Sequence, residues 1–153
     1  MNRSPLNIST PDRVEDAPGF LLWQIEMCWQ RAANQLLSAY DLTYTQFIVL
    51  YISDFLTENH INVYQHQVAK FSRIDRMMTS RILASLEKKN YVERIKLSGD
   101  ARAKLVNLTD KGKEVLEQSL RAISEAEQTF FKPGGTEFVK SMENILTDCN
   151  TPQ

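Results

Sequence analysis

Cationic side chains crowd into one segment of this sequence, residues 70–104, and their types and spacing predict its clearest chemistry. The segment contains ten Lys and Arg residues against four Asp and Glu residues, so its net charge is +6. The complete chain of 153 residues has a formal net charge of −1, which leaves −7 for the remainder. Segregated charge of this kind indicates one face that binds an anion, and the alternative is an ordinary solvated surface.

A helix predicted over residues 76–89 places much of this charge on one side. At about 100° per residue, the arc expected to face the core consists of Thr79, Ile82, Leu83 and Leu86. The opposite arc mixes cations with small or apolar side chains, namely Arg76, Met77, Ser80, Arg81, Ala84 and Lys88. Small residues let a helix approach the major groove of DNA, where Arg81 can reach a guanine edge and Lys88 a phosphate. The alternative is the solvated face of an amphipathic helix.

A shorter helix precedes this one, and a tight turn joins the two. The sequence predicts the shorter helix over residues 63–71, with Asn62 as its N-cap, and Asp75 as the N-cap of the next. The connection is the three residues Ser72, Arg73 and Ile74, and two helices joined so closely predict a helix-turn-helix. Arg73 in this turn is a further candidate for a phosphate contact.

A β-hairpin is predicted directly after the second helix. Apolar and polar residues alternate over 91–97 and again over 103–108, with a Gly-Asp turn signal between the two runs. Charged candidates for DNA contacts lie on its strands and tip: Arg94, Lys96, Asp100, Arg102 and Lys104. Arg102 suits a narrow minor groove, where the negative potential is high, and Asp100 is expected to pair with a nearby arginine. A helix-turn-helix followed by such a hairpin predicts the winged-helix arrangement.

Helices are also predicted on both sides of this unit, over residues 19–40, 43–57, 109–131 and 136–147. The first has more apolar surface than one core requires, so we expect it to pack on a second partner. Thr43 and Gln46 fit a capping box for the second, which we expect to be the central buried helix. Thr109 caps the helix over residues 109–131, and Asn90 tolerates the left-handed turn expected before the hairpin.

Composition argues against several other functions. The chain is 42% hydrophobic and 24% charged, which fits one globular domain, and no apolar run is long enough to span a membrane. There is no Gly-rich phosphate loop, nucleophile elbow or convincing Ser-His-Asp set, so we do not expect an enzyme. The first 18 residues are polar, contain three prolines and lack the apolar core of a secretory signal, which predicts a flexible arm.

The cysteine and histidine residues predict neither a metal site nor a cofactor. Cys28 and Cys149 form no metal or redox motif, and His60 and His66 lack a ligand cluster. Cys28 has no adjacent cation to favour its thiolate, so a structural thiol is the preferred interpretation. The default is therefore a reduced, cytoplasmic protein.

Several segments taken together in this order resemble the MarR family of winged helix-turn-helix transcription regulators. The resemblance is carried by DRMMTSR at 75–81, LEKKNYVER at 86–94, DARAK at 100–104 and LTDKG at 108–112. LTYTQF at 42–47 also resembles the entry to the second helix of that family. The resemblance implies a mainly α fold with a small β-hairpin wing. Its parts would be an arm (1–18), a dimerisation helix (19–42), a winged helix-turn-helix lobe (43–108), C-terminal dimerisation helices (109–148) and a tail (149–153).

The same resemblance implies what the protein does. It implies a homodimer that binds a pseudo-palindromic operator in double-stranded promoter DNA, with Arg102 in the minor groove, and that acts as a ligand-responsive repressor. A small aromatic or anionic effector is implied as well, with Trp23, Met27, Tyr40, Phe47 and Tyr51 as candidate pocket residues. Aromatic residues at helical spacing are also typical of an ordinary core. A winged-helix module that binds another protein, without specific DNA binding, is the alternative function.

Overall fold

The computed structural model describes residues 13–60, 62–97 and 99–150, except for the side chains of residues 100–102 and 150. The chain forms two compact units that divide between Tyr44 and Thr45. Its helices and strands are α1 (Pro18–Leu37), α2 (Tyr44–Asn59), α3 (Gln65–Ser72), α4 (Arg76–Lys88), β1 (Val92–Leu97), β2 (Asp100–Leu108), α5 (Asp110–Phe130) and α6 (Gly135–Asn150). Short 3₁₀ turns cover Val14–Asp16, Ser38–Tyr40 and Lys132–Gly134. In the described part of the chain, every helix is too short or too polar to cross a membrane.

The first unit is organised around α1. Pro18 opens the helix, where its missing N–H costs nothing, and the buried side chains are Trp29, Ala33 and Leu37. A helix was predicted over residues 19–40. The α-helix ends at Leu37, the 3₁₀ turn Ser38–Tyr40 follows it, and Asp41 then takes a left-handed conformation with φ 53°. Apolar side chains near the helix start are exposed, among them Leu21, Leu22 and Trp23.

Helix α2 is buried on one face rather than all round. Phe47, Val49, Leu50, Ser53 and Leu56 are buried, whereas Tyr51 and Phe55 are 40% and 44% exposed. The sequence pattern predicted that α2 is the central buried helix. Full burial requires neighbours on every side, and the described neighbours of this single chain leave one face of α2 open.

Helix α3 begins later than predicted, and its N-cap is Tyr64 rather than Asn62. The reason is that Val63 and Tyr64 extend the hairpin. The Val63 carbonyl accepts from the Val106 amide at 2.8 Å, and Tyr64 forms a bridge with Leu105. Residues in extended backbone cannot enter the helix, so α3 begins at Gln65. The Gln67 side chain then accepts from the Tyr64 amide at 2.8 Å.

The hairpin pairs antiparallel from Val92 opposite Leu108 to Lys96 opposite Lys104. Asn90 has φ 61°, which confirms the left-handed turn predicted before β1. Strand β2 begins at Asp100, three residues earlier than predicted, so Ser98 and Gly99 alone separate the strands. Gly99 has φ 102°, a conformation that favours glycine, whereas Ser98 lies outside the described residues. The tip is consequently tighter than the five-residue connection that the alternation predicted.

Helices α5 and α6 complete the second unit. The Thr109 hydroxyl accepts from the Gly112 amide at 3.0 Å, which confirms Thr109 as the N-cap of α5. Buried side chains follow at helical spacing along α5, namely Leu116, Ser119 and Ile123. Helix α6 begins at Gly135 and exposes Val139, Ile145 and Leu146.

Candidate nucleic-acid interface

The outer face of α4 is the centre of the candidate site. All four residues predicted to face the core are buried: Thr79, Ile82, Leu83 and Leu86. On the opposite face Arg76, Met77, Arg81 and Lys88 are exposed, with Met77 at 66%, and Ser80 and Ala84 are half-buried. The solvent-facing surface of α4 therefore combines cations, small residues and the apolar side chain of Met77. It lies on a single helix, and the major groove of DNA is wide enough to admit one helix.

The turn between α3 and α4 fixes the start of this helix. Arg73 is exposed and ends α3 with φ 60°, and the Ser72 hydroxyl accepts from the Ile74 amide at 3.3 Å. The Asp75 side chain then caps α4 by accepting from the Met78 amide at 2.9 Å, as predicted. The buried Thr79 hydroxyl donates to the Asp75 carbonyl at 2.9 Å, so this polar group in the core is satisfied.

The far end of α4 is tied to α2 through Gln46. Its amide donates to the Ser85 hydroxyl at 2.9 Å, and its carbonyl oxygen accepts from Lys89 Nζ at 3.2 Å. These hydrogen bonds link two helices that are about 40 residues apart in sequence. The capping box of Thr43 and Gln46 stays a prediction.

Arg94 joins three elements and is not a free cation on the hairpin. Its Nη2 and Nε donate to Glu87 Oε2 at 2.8 and 3.1 Å, which binds β1 to α4. Its Nη1 lies 3.3 Å from Gln65 Oε1 on α3 and 3.5 Å from the Ser80 carbonyl, the latter a weak contact. The side chain is only 13% exposed. The structure therefore revises the prediction that Arg94 contacts DNA: its guanidinium is committed to holding the hairpin against α4.

Sequence reasoning missed Glu87 as the partner of Arg94. Glu87 also accepts from the Arg94 backbone amide at 3.2 Å. Hydrogen bonding from the Arg94 side chain is the main cause that lowers the pKa of Glu87, and partial burial opposes it. The sequence signal was an acidic residue on the helix, seven positions before an arginine on the strand. This spacing predicts a contact between the two side chains only when the conformation of the turn between them is known.

The lowered pKa of Glu87 predicts a stability change at acidic pH. Because the folded-state pKa lies below the ordinary value of 4.5, the ion pair stabilises the fold above that value. Its contribution is lost as the pH falls through the folded-state pKa. We therefore expect the difference in unfolding midpoint between wild type and Glu87→Gln to shrink between pH 6 and pH 3, measured by thermal circular dichroism.

Two features make this measurement specific to the pair. Burial raises the pKa values of Asp54 and Glu127, so these two residues stabilise the fold at low pH. Their contribution is the same in wild type and in Glu87→Gln, so it cancels in the difference between the two unfolding midpoints. In an Arg94→Gln background the same pH-dependent difference should be smaller, because Glu87 loses its guanidinium partner and keeps the hydrogen bond from the backbone amide at position 94. A Glu87→Gln difference that stays constant across the range would contradict this account.

The remaining hairpin cations lie on β1 and β2. Lys96 is exposed and Lys104 is half-buried, and they occupy directly opposite positions on β1 and β2. The side chains of Asp100 and Arg102 lie outside the described residues, although their backbone belongs to β2. The expected pairing of Asp100 and the minor-groove position of Arg102 therefore stay predictions.

The base of the hairpin is anchored to the start of α5. The Thr109 amide donates to the Tyr91 carbonyl at 3.1 Å, and the Thr109 hydroxyl donates to the Asn90 carbonyl at 2.5 Å. Lys111 Nζ donates to the Lys89 carbonyl at 3.1 Å and lies 5.2 Å from the centre of the Tyr91 ring, a cation–π distance. These contacts fix the hairpin relative to the rest of the second unit.

The candidate effector residues are divided between the two units. Phe47 is buried and stacks on Tyr51, with ring centres 6.0 Å apart, in the second unit. Trp23, Met27 and Tyr40 belong to the first unit, where Trp23 is 58% exposed and the other two are half-buried. A different cleft of about 520 Å³ lies in the second unit between α2 and α5, lined by Asp54, Thr57, Glu58, Lys113, Leu116, Glu117 and Leu120.

The cysteines and histidines take no part in the candidate site. Cys28 and Cys149 are exposed free thiols, and His66 stacks on Tyr64 with ring centres 5.5 Å apart. Within residues 13–60, 62–97 and 99–150, no group of three or more His, Cys, Asp or Glu residues is arranged to hold a metal ion.

Comparison with known sequences gives a consistent result. The family model described as the MarR family matches residues 42–104, which include α2, α3, α4, β1 and the start of β2. The uncharacterised HTH-type transcriptional regulator YdcH of Bacillus subtilis (strain 168) is 37% identical over 115 residues. That alignment covers 75% of this chain and 78% of YdcH.

Two similar solved structures contain DNA. A mutant of MarR from E. coli complexed with operator DNA is 26% identical, with a TM-score of 0.73, over 87% of this chain and 93% of that one. The MepR–DNA complex of S. aureus is 25% identical, also with a TM-score of 0.73, over 90% of this chain and 96% of that one. The winged-helix fold predicted from the element order is confirmed by these similarities.

Proposed function

Since the chain belongs to the MarR family of winged helix-turn-helix transcriptional regulators, we propose that it binds promoter DNA as a homodimer and represses transcription. Its operator is a pseudo-palindrome, and the two copies of α4 enter successive major grooves about one helical turn apart. Bound in this way, the dimer occludes RNA polymerase. The similar MarR and MepR structures in complex with DNA support this mode of binding.

The observation that carries the proposal is the composition of the outer face of α4. Arg81 is exposed near the middle of the helix, where it can donate two hydrogen bonds to a guanine edge. Ser80 and Ala84 are small enough to let the helix backbone approach the bases, and Met77 can contact a thymine methyl group. Further cations surround this face and hold phosphates, namely Arg73, Arg76, Lys88, Lys96, Lys104 and, at the tip, Arg102.

The dimer in this proposal is formed by the two ends of the chain. Residues 19–42 and 109–148 are the dimerisation helices, and residues 43–108 are the DNA-binding lobe. Exposed apolar side chains on α1 and α6 support this assignment: Leu22 and Trp23 are 57% and 58% exposed, and Ile145 is 64% exposed. Monomeric proteins rarely leave such surface open along two helices, and a second copy would cover it.

An effector in this proposal acts through the distance between the two copies of α4. The dimer has two states that differ in this distance. A small aromatic or anionic molecule that binds one state more tightly shifts the equilibrium between them only by that difference in affinity. In the second unit, the residues proposed to contact it are Phe47 and Tyr51. A spacing that no longer matches the half-sites lowers operator affinity and releases repression.

Salt titration of DNA binding is the experiment that tests the proposal. A labelled fragment of the DNA upstream of its own gene is titrated with protein over a series of salt concentrations, with a scrambled fragment of equal length as the control. We expect two chains per site, tighter binding to the native fragment, and a logarithmic salt slope of about −0.9 for each phosphate neutralised. Absent binding, or weak binding that is equal on both fragments, would instead support the winged-helix module for a protein partner.

A further inference from the structure

Two neighbouring methionines are exposed at the start of α4. Met77 is 66% exposed and Met78 is 44% exposed, although methionine is among the residues most often buried in proteins. The other methionines that the structure describes, Met27 on α1 and Met142 on α6, are half-buried. Among these four thioethers, the two that are most open to solvent therefore lie on the candidate recognition helix.

The two side chains lie on different parts of the surface of α4. Residues four and seven positions apart share one face of a helix, so Met77 lies on the outer face together with Arg81 and Ala84. Met78 is about 100° further round, on the side of the buried Ile82, which follows it by four positions. Met77 therefore belongs to the surface that reads bases in the proposed function, and Met78 lies beside it.

An exposed thioether can be oxidised by the transfer of one oxygen atom. With hypochlorous acid, the sulfur loses two electrons and gains the oxygen, while the O–Cl bond breaks. The chlorine is reduced to chloride and the hydroxyl proton passes to water. The product is methionine sulfoxide, a polar and chiral side chain that methionine sulfoxide reductases convert back to methionine. Met77 is open to this reaction in the folded protein, because most of its surface faces solvent.

A sulfoxide at position 77 is incompatible with the contact assigned to Met77 in the proposed function. A thymine methyl group requires an apolar neighbour, and the thymine O4 beside it is an acceptor, as the sulfoxide oxygen is. We propose that Met77 is a reversible oxidation site through which oxidants of the hypochlorous acid class release the protein from DNA, an inference that rests on the proposed function. The buried arc of α4 does not include Met77, so the fold survives the oxidation.

The test uses the full chain as wild type, Met77→Leu and Met78→Leu. Leucine is apolar and of similar volume but has no sulfur, and Met78→Leu is the matched control on the adjacent turn position. Each protein is treated with hypochlorous acid, and free methionine stops the reaction. Trypsin cleaves after Arg76 and Arg81, so peptide 77–81 contains both methionines of α4, and tandem mass spectrometry distinguishes them.

Binding to the upstream fragment is measured before and after treatment, and each protein is compared with its own untreated form. Cys28 and Cys149 are exposed thiols that react with the same oxidant. Two repair treatments separate the two kinds of sulfur. Dithiothreitol reduces disulfides and sulfenic acids, whereas methionine sulfoxide is reduced by methionine sulfoxide reductase.

We expect a sulfoxide at Met77 and a loss of wild-type affinity of about fivefold or more, comparable to the loss of one apolar contact. The reductase should restore binding and dithiothreitol should not. Met78→Leu should respond like wild type, and Met77→Leu should keep its untreated affinity. Equal losses in Met77→Leu and wild type, repair by dithiothreitol, or a sulfoxide at Met77 without loss of affinity would overturn the oxidation switch and leave the proposed function intact. Untreated wild type that does not bind DNA would overturn both.

Discussion

Replacing Arg81 by alanine is expected to weaken binding to the operator about 5- to 150-fold, the loss that corresponds to roughly 1–3 kcal/mol. Arg81 is exposed on the outer face of α4, and its side chain lies on the face opposite the buried Ile82 and Leu83. Truncation removes a base contact without opening the core, so the folded state should keep its stability. Fluorescence anisotropy with a labelled operator measures the loss directly.

Two controls separate base recognition from general charge. Arg121→Ala removes another exposed arginine, on α5, whose ion pair with Glu117 is a surface pair of little energetic weight. We expect it to bind the operator like wild type. Lys88→Ala should weaken operator and scrambled DNA alike, because a phosphate contact carries no sequence information. If Arg81→Ala also weakened both fragments equally, Arg81 would be a phosphate contact and the base readout would have to come from elsewhere on α4.

Replacing Gly112 by alanine is expected to cause a large loss of folding stability. A Cβ atom at this position would lie 1.9 Å from the Tyr91 carbonyl oxygen and 2.8 Å from its carbon. These atoms are backbone at the base of the hairpin and are fixed by the Thr109 amide, so they cannot turn away as a flexible side chain would. We expect a cost near the upper end of about 1–3 kcal/mol, measured by urea unfolding.

Gly19→Ala is the matched control for that substitution. Gly19 lies in the first turn of α1, and a Cβ atom there meets nothing within 4 Å. Alanine should therefore be neutral or slightly stabilising, since it limits the unfolded chain more than glycine does. We also expect Gly112→Ala to bind DNA less tightly than its remaining folded fraction explains, because a displaced hairpin moves the wing relative to α4. A wild-type midpoint for Gly112→Ala would show that the Tyr91 carbonyl moves without cost.

Features that depend on a few consecutive residues could be read from the sequence alone. Asp75 and Thr109 were predicted as N-caps, and Asn90 as a left-handed turn, because each depends on its own side chain or backbone preference. The two faces of α4 were predicted correctly for a similar reason. A helix repeats every 3.6 residues wherever it lies, so the buried arc follows from spacing.

The errors concern features that depend on residues far apart in the chain. The start of α3 was misplaced because Val63 pairs with Val106, a partner 43 positions away that no local pattern reveals. Helix α2, expected to be the central buried helix, is buried on one face only, because burial depends on how many neighbours surround a helix and not on its composition. The early start of β2 depends on the pairing of the two strands across the turn.

The sequence by itself determined the elements, their order, the segregation of positive charge and the residues that face away from the core of α4. These properties are local or are simple sums over the chain, so they need no knowledge of packing. The tertiary structure alone decided that Arg94 binds Glu87 rather than remaining free, that Gln46 bonds to Ser85, and that Gly112 lies against Tyr91. Such contacts arise when packing brings distant residues within a few ångströms, and which partners meet depends on the whole fold.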